Sequence, residues 1–219
     1  MGIITVDDAL DVIQEEVEED FAVMAAVTPT EEPYLRTGVF RIFASRIPWL
    51  LILMLSATFT DMIISGFESA LAVLPALTAF IPMLMGTGGN SGSQSSTTVI
   101  RGLSLGEIEF RDALRVLFKE LRVSILCGVC LAAATFVKVM LVDRLLLQNE
   151  NVTWQVALVV SLALLVTVLA AKLIGGLLPI LAKRIKLDPA VMASPFITTL
   201  VDAVSLLVYF LIARTLLPI

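Results

Sequence analysis

A lone carboxylate, Asp202, stands in the middle of an otherwise apolar run that extends from Pro189 to Leu216. A charge at the centre of a membrane-spanning helix costs at least about 2.5–3.5 kcal/mol, and at that depth the side chain cannot stretch to water. Ser194, Thr198 and Ser205 stand eight and four residues before it and three after it, so on a helix the four form one polar stripe, with Thr199 beside it. Hydroxyls leading to a central carboxylate are the pattern of a water-lined route for cations. The alternative is a structural Asp, protonated or paired with a lysine. Asp61 and Lys138 also fall in apolar runs, but close enough to the ends to reach the interface. Lys172 is roughly 14 Å from the inner end of its run, so it either reaches water in part or pairs with a carboxylate.

The oxygen chemistry narrows the ion. Mg²⁺ takes octahedral oxygen ligands and sheds its waters reluctantly, so a passage for it should hold the hydrated ion with few carboxylates and many neutral oxygens. One Asp with several hydroxyls or carbonyls per chain meets that demand. A single chain offers one negative charge at the midplane, whereas a homodimer with Asp202 near its axis offers two, which favours a pore on the two-fold axis.

These residues require a bilayer. The chain has 219 residues, 58% of them hydrophobic, and a mean hydropathy of +0.96, well above the soluble range. Apolar stretches at 48–66, 71–100, 123–142, 152–181 and 189–216 each approach the roughly 20 residues that cross a ~30 Å hydrocarbon core. Eleven of the fifteen Lys and Arg residues precede the first stretch or lie in the links 101–122 and 183–186, which five spans put on one side. Basic residues mark the cytoplasmic face, so the N-terminus is expected inside and the C-terminus outside. The second stretch is expected to be irregular: Pro75 and Pro82 interrupt it, and Gly86, Gly88, Gly89 and Gly92 surround Asn90, Ser91, Ser93 and Gln94. Such backbone faces protein or a wet cavity, not lipid. Close helix packing through small residues is the plainer account.

Residues 1–32 hold ten carboxylates and no Lys or Arg, against ten acidic and fifteen basic residues in the rest. Thr5 can cap a helix whose apolar stripe is Val6, Leu10, Ile13, Val17, Phe21 and Met24. Anionic lipid would repel this acidic helix, so its partner is protein or cation. The segment 28–32, with Pro29 and Pro33, is read as a turn before Arg36, Arg41 and Arg46. The N-terminus has neither the basic start nor the apolar core of a signal peptide and is expected to be retained. The chain has no histidine, which removes the usual base of a Ser-His or Cys-His hydrolase and the commonest transition-metal ligand. Cys127 and Cys130 lie in an apolar stretch and are read as packing residues. An intramembrane aspartyl protease would need Asp61 and Asp202 to share a proton, but they are expected at different depths. No enzymatic activity is expected, and an assembly protein remains a rival reading.

The run Pro82-Met-Leu-Met-Gly-Thr-Gly-Gly-Asn-Ser-Gly-Ser-Gln-Ser, followed by Arg101-Gly-Leu and Gly106-Glu-Ile, resembles the MgtE family of magnesium channels. A second block, Asp188-Pro-Ala through Ser194-Pro and Thr198-Thr-Leu-Val-Asp202 to Tyr209, resembles the last span of that family. The resemblance implies a homodimer with its pore at the subunit interface, in which Asp202 holds hydrated Mg²⁺ with main-chain oxygens at Ser194 and Thr198. Asn90, Gly88 and Gly89 match the pore-lining stretch. The start, Gly2-Ile-Ile-Thr-Val-Asp-Asp-Ala-Leu-Asp-Val, is similar to the end of the second CBS domain and the plug helix that follows it. There, carboxylates matching Asp8, Asp11, Glu16, Glu19, Asp20 and Asp188 bind the Mg²⁺ that stabilises the closed state. The N domain of that family and nearly all of its CBS pair have no counterpart here.

The expectation is thus an all-α integral membrane protein of the cell membrane, with an acidic plug-like helix and linker at 1–45 and a five-span channel domain at 46–219. Mg²⁺ is its cargo and a possible regulator; its partners are a second copy and lipid, not nucleic acid. An ion-coupled transporter of Mg²⁺, Mn²⁺ or Co²⁺ is the alternative.

Overall fold

The computed structural model describes residues 5–29 and 32–217, and of Ser194 the main chain only. The resemblance at residues 2–4 and part of the expected turn at 28–32 lie outside the described residues. Among the described residues every regular element is helical.

Helix α1 (Val6–Met24) starts as expected at Thr5, whose hydroxyl accepts the Asp8 N–H while the Asp8 carboxylate accepts the Thr5 N–H at 2.8 Å. It buries no residue and rests against the turn Pro189–Met192. The Thr5 hydroxyl also donates to the Asp8 carboxylate at 2.6 Å, and this bond, with the one from the Thr5 N–H, holds the exposed Asp8 carboxyl below its ordinary range. The chain then ties itself to α2 (Val39–Gly66): the Thr28 N–H donates to Ser45 O at 2.9 Å, and Arg41 pairs with Glu32 at 2.7 Å.

Helix α2 begins nine residues before the expected Pro48, because apolarity marks only the part of a helix that lipid covers. The short α3 (Glu68–Val73) stops at Leu74, whose backbone leaves the helical region, as the residue before Pro75 is biased to do. A 3₁₀ turn, Pro75–Phe80, leads into α4 (Ile81–Ser104), where Pro82 lies in the first turn and its missing N–H has no helical partner to lose. The irregularity expected in this stretch is confined to the turn that leads into α4. Through Gly86, Gly88, Gly89 and Gly92 the chain is continuous α-helix. Glycine's low helix propensity is overridden there by tight packing on two neighbouring helices.

Helix α5 (Ala113–Lys138), opened by a Glu109–Asp112 capping box and extended by the π-helical Val139–Leu146, starts ten residues before the expected 123. Helix α6 (Trp154–Arg184), capped by Thr153, is the axis of the bundle, packed on α4, on α5 and on α7 (Ser194–Leu216). Tyr209 and Phe210 of α7 fill the largest apolar cluster with Leu77, Phe80, Leu84, Val160 and Leu164, and the buried Tyr209 hydroxyl donates to Leu77 O at 3.0 Å.

Among the described residues four segments are long and apolar enough to cross a membrane: Val39–Gly66, Phe110–Leu146, Trp154–Arg184 and Pro189–Leu216. The chain is a multi-pass membrane protein. At 24 residues α4 has a spanning helix's length, but its Gly, Ser, Thr, Asn and Gln residues deny it that apolarity.

Candidate functional site

The polar residues of α4 divide between its two sides. On one side Gly88, Gly89, Gly92, Ser95 and Ser96 are buried, the three glycines against α6 and α7. Between helices in lipid there is little hydrophobic drive, so close approach of small residues carries the contact. A Cβ on Gly88 would meet Ser205 and Thr167, one on Gly89 would meet Thr198, and one on Gly92 would meet Ile197 and Ala171 O. Ser96 also donates to Met192 O at 2.5 Å, which ties α4 to the turn that precedes α7.

The other side of α4 is open. Asn90, Gln94, Thr97 and Thr98 are exposed and, with Ser93, line a groove of about 550 Å³. Of the three pore-lining candidates, Asn90 is on this groove, whereas Gly88 and Gly89 are inside the bundle.

Asp202 is half-buried on α7, about half way between Pro189 and Leu216, as expected. One turn before it, Thr198 packs on Gly89 of α4. The Thr198 and Thr199 hydroxyls both donate to Pro195 O, at 2.9 and 3.0 Å. Their protons are thereby committed to the backbone, and their oxygens keep lone pairs for a cation or its waters. Ser194 opens α7 and contributes its main chain at the start of the stripe. Ser205 has turned inward, donating to Val201 O at 2.6 Å.

The acidic set is only partly assembled. Asp188 caps the turn Pro189–Met192 by accepting the Ala190 N–H at 2.8 Å. Asp20 is brought to it: burial first, then the charges of Asp188 and Glu16, push the Asp20 carboxyl above its ordinary range. Glu19 is exposed beside them, while Asp11 and Asp8 are farther up α1, Asp8 roughly 18 Å from Asp20 along the helix axis. Among the described residues no three carboxylates or cysteines converge closely enough to hold a bare metal ion. Glu16 and Asp188 are each near enough to repel Asp20, without the three forming a direct coordination shell.

Two contacts escaped the sequence reading. Lys172 is buried, yet its partner is Gln94 Oε1 at 3.4 Å, not a carboxylate. Glu120, which fell in a link by the sequence, is on α5 and accepts from Ser95 at 2.5 Å. The capping box at Glu109 was the signal that α5 starts early enough to include it.

The model of the MgtE family, described as a divalent cation transporter, matches residues 81–212, the stretch that contains α4 and Asp202. The magnesium transporter MgtE of Thermus thermophilus is 39% identical over 217 residues, 99% of this chain and 46% of that protein. Those of Bacillus subtilis and Enterococcus faecalis are 37% and 33% identical, over 97% of this chain and 45% of each protein. The chain thus spans a little under half the length of these relatives. With the family model covering more than half of the chain and the glycine-rich α4 at its centre, the chain belongs to the MgtE family of divalent cation transporters.

Proposed function

We propose that this chain conducts Mg²⁺ through the cell membrane as a homodimer, with five spans per chain, its N-terminus in the cytoplasm and its pore on the two-fold axis. The fifth span is α4, which turns its polar groove toward the axis and its small residues toward its own bundle. Asp202 of each subunit holds the hydrated ion, helped by oxygens of Thr198 and Ser194. The observation that carries this is the half-buried Asp202 midway along an apolar helix, with the polar α4 packed on the residue one turn before it. The relatives' names as magnesium transporters supply the ion. Transport needs no catalytic chemistry: the membrane potential supplies ~2.3 kcal/mol per charge per 100 mV, and about twice that for a divalent ion. Asp20, Glu16, Glu19 and Asp188 form a weak second locus for hydrated Mg²⁺, which holds α1 against the inner end of α7; Asp8 and Asp11 extend the acidic surface.

Mg²⁺ uptake into proteoliposomes tests the reading, with Asp202→Asn in the same preparation. The mutant should stay dimeric and lose most uptake; wild-type uptake would overturn the assignment. Current that reverses at the Mg²⁺ equilibrium potential marks a channel, and reversal that follows H⁺ or Na⁺ marks a coupled transporter.

A further inference from the structure

Lys172, in the middle of α6, is the one buried Lys, Arg, Asp or Glu among the described residues, 5% exposed. Its ammonium donates to the side-chain oxygen of Gln94 at 3.4 Å. An ammonium has donors only, so this contact turns the amide oxygen of Gln94 toward α6 and leaves its NH₂ for the groove. The next residue of α4 is held by the opposite sign, since Ser95 donates to Glu120 of α5. The stem of Glu120 lies over Gly176, one turn along α6 from Lys172. Two consecutive residues of α4 are therefore gripped from behind, one by a cation and one by an anion. The other charges on the helices packed here are Arg115, Lys119, Arg122 and Lys138 of α5, Lys183 and Arg184 of α6, and Asp202 and Arg214 of α7; α4 itself has none before Arg101.

A wall that retains a hydrated cation must offer acceptors, because the waters of the shell turn their hydrogens outward. An amide NH₂ backed by an ammonium does the reverse. We infer that Lys172, acting through Gln94, is a positioning residue that weakens the hold of α4 on the passing cation, so that the ion is released and not trapped. Conduction requires a site attractive enough to enter and weak enough to leave. Asp202 supplies the attraction, and the Lys172–Gln94 contact limits it. This inference rests on the reading of the α4 groove as the ion path.

The test is the rate of Mg²⁺ uptake into proteoliposomes as a function of external Mg²⁺. In Lys172→Met the Gln94 oxygen is free to turn to the groove and the charge is gone. The half-saturating Mg²⁺ concentration should fall by about tenfold, equivalent to about 1.4 kcal/mol of binding, and the maximal rate should fall with it. Lys172→Arg, also a pure donor, should keep the wild-type half-saturation. A lower maximal rate in Lys172→Met with half-saturation unchanged would mark a merely structural role and overturn the inference. So would wild-type kinetics in Lys172→Met beside an inactive Asp202→Asn, a result that leaves the pathway reading intact. Wild-type uptake in both variants would instead sink the pathway reading itself. If Lys172→Met fails to assemble, Gln94→Ala carries the test, because removing this exposed amide opens the ammonium to the groove. Half-saturation should then rise severalfold, and no change would overturn the inference.

Discussion

Gly175 of α6 faces the main-chain oxygen of Gly92 in α4 so closely that a Cβ on Gly175 would collide with it. The two backbones touch with no side chain between them, and this contact sets how near α4 can come to the axis of the bundle.

Gly175→Ala should therefore destabilise the protein by about 1–3 kcal/mol, the usual cost of overpacking, read as a lower midpoint of unfolding in detergent. Gly86→Ala is the control: nothing lies within 4 Å of its added Cβ. In mid-helix it should be neutral or stabilise by about 0.5–1 kcal/mol. Equal effects from both substitutions would contradict the packing described for α4 and α6.

Tyr209→Phe removes the buried hydroxyl that donates to Leu77 O and leaves that carbonyl without this donor. A loss of about 1 kcal/mol is expected, seen as a lower melting temperature, with Mg²⁺ uptake per folded dimer unchanged. An intact melting temperature would mean that the bond adds nothing to the anchoring of the Pro75–Phe80 turn on α7.

The docking of α1 should depend on pH in a definite direction. The docked state raises the Asp20 carboxyl above the ordinary 3.8, so protonation favours docking. That favourable contribution is fully present below about 3.8 and is lost as pH rises through the raised value. Without divalent ions, cleavage by an acid-active protease at the 28–33 linker should thus slow as pH falls toward 4. At neutral pH millimolar Mg²⁺, or Asp20→Asn without Mg²⁺, should protect the same linker. Cleavage that is indifferent to Mg²⁺ and to Asp20→Asn would reduce α1 to a solvated helix.

If the α4 groove faces the dimer axis, a cysteine at the exposed Thr97 should be joined to its copy by a short bis-maleimide. The test needs Cys127 and Cys130 replaced by Ser. A cysteine at Val137, exposed on α5, should not crosslink. Monomers alone from the Thr97→Cys protein, with uptake intact, would refute the axial placement of α4.

What the sequence disclosed and what it hid follow from the range of each signal. Periodicity and composition report local facts, so the apolar spans, the Thr5 cap of α1 and the mid-span Asp202 could be read directly. Helix ends were misplaced because hydrophobicity tracks lipid: α2 and α5 continue past it, starting at Val39 and Ala113. The glycines of α4 pointed to broken backbone, and only packing on α6 and α7 explains why the helix persists. Lys172 was singled out by its depth, but its partner is a neutral amide 78 residues away, beyond any local pattern. The carboxylates of α1 were visible as a set. Which of them meet Asp188 depends on how α1 lies on the turn Pro189–Met192, which is tertiary information.

Helix α2 buries little of itself, and the long helix it leans on is α7, the most C-terminal of the described helices. During synthesis α2 enters the membrane long before that support exists. At about 5–20 residues per second, the interval from Gly66 to Ser194 is roughly ten seconds. For that time α2 must persist as a solitary helix in lipid, recommended to the bilayer only by its own apolarity. A nascent chain halted before α7 would leave α2 without that support for as long as the halt lasts.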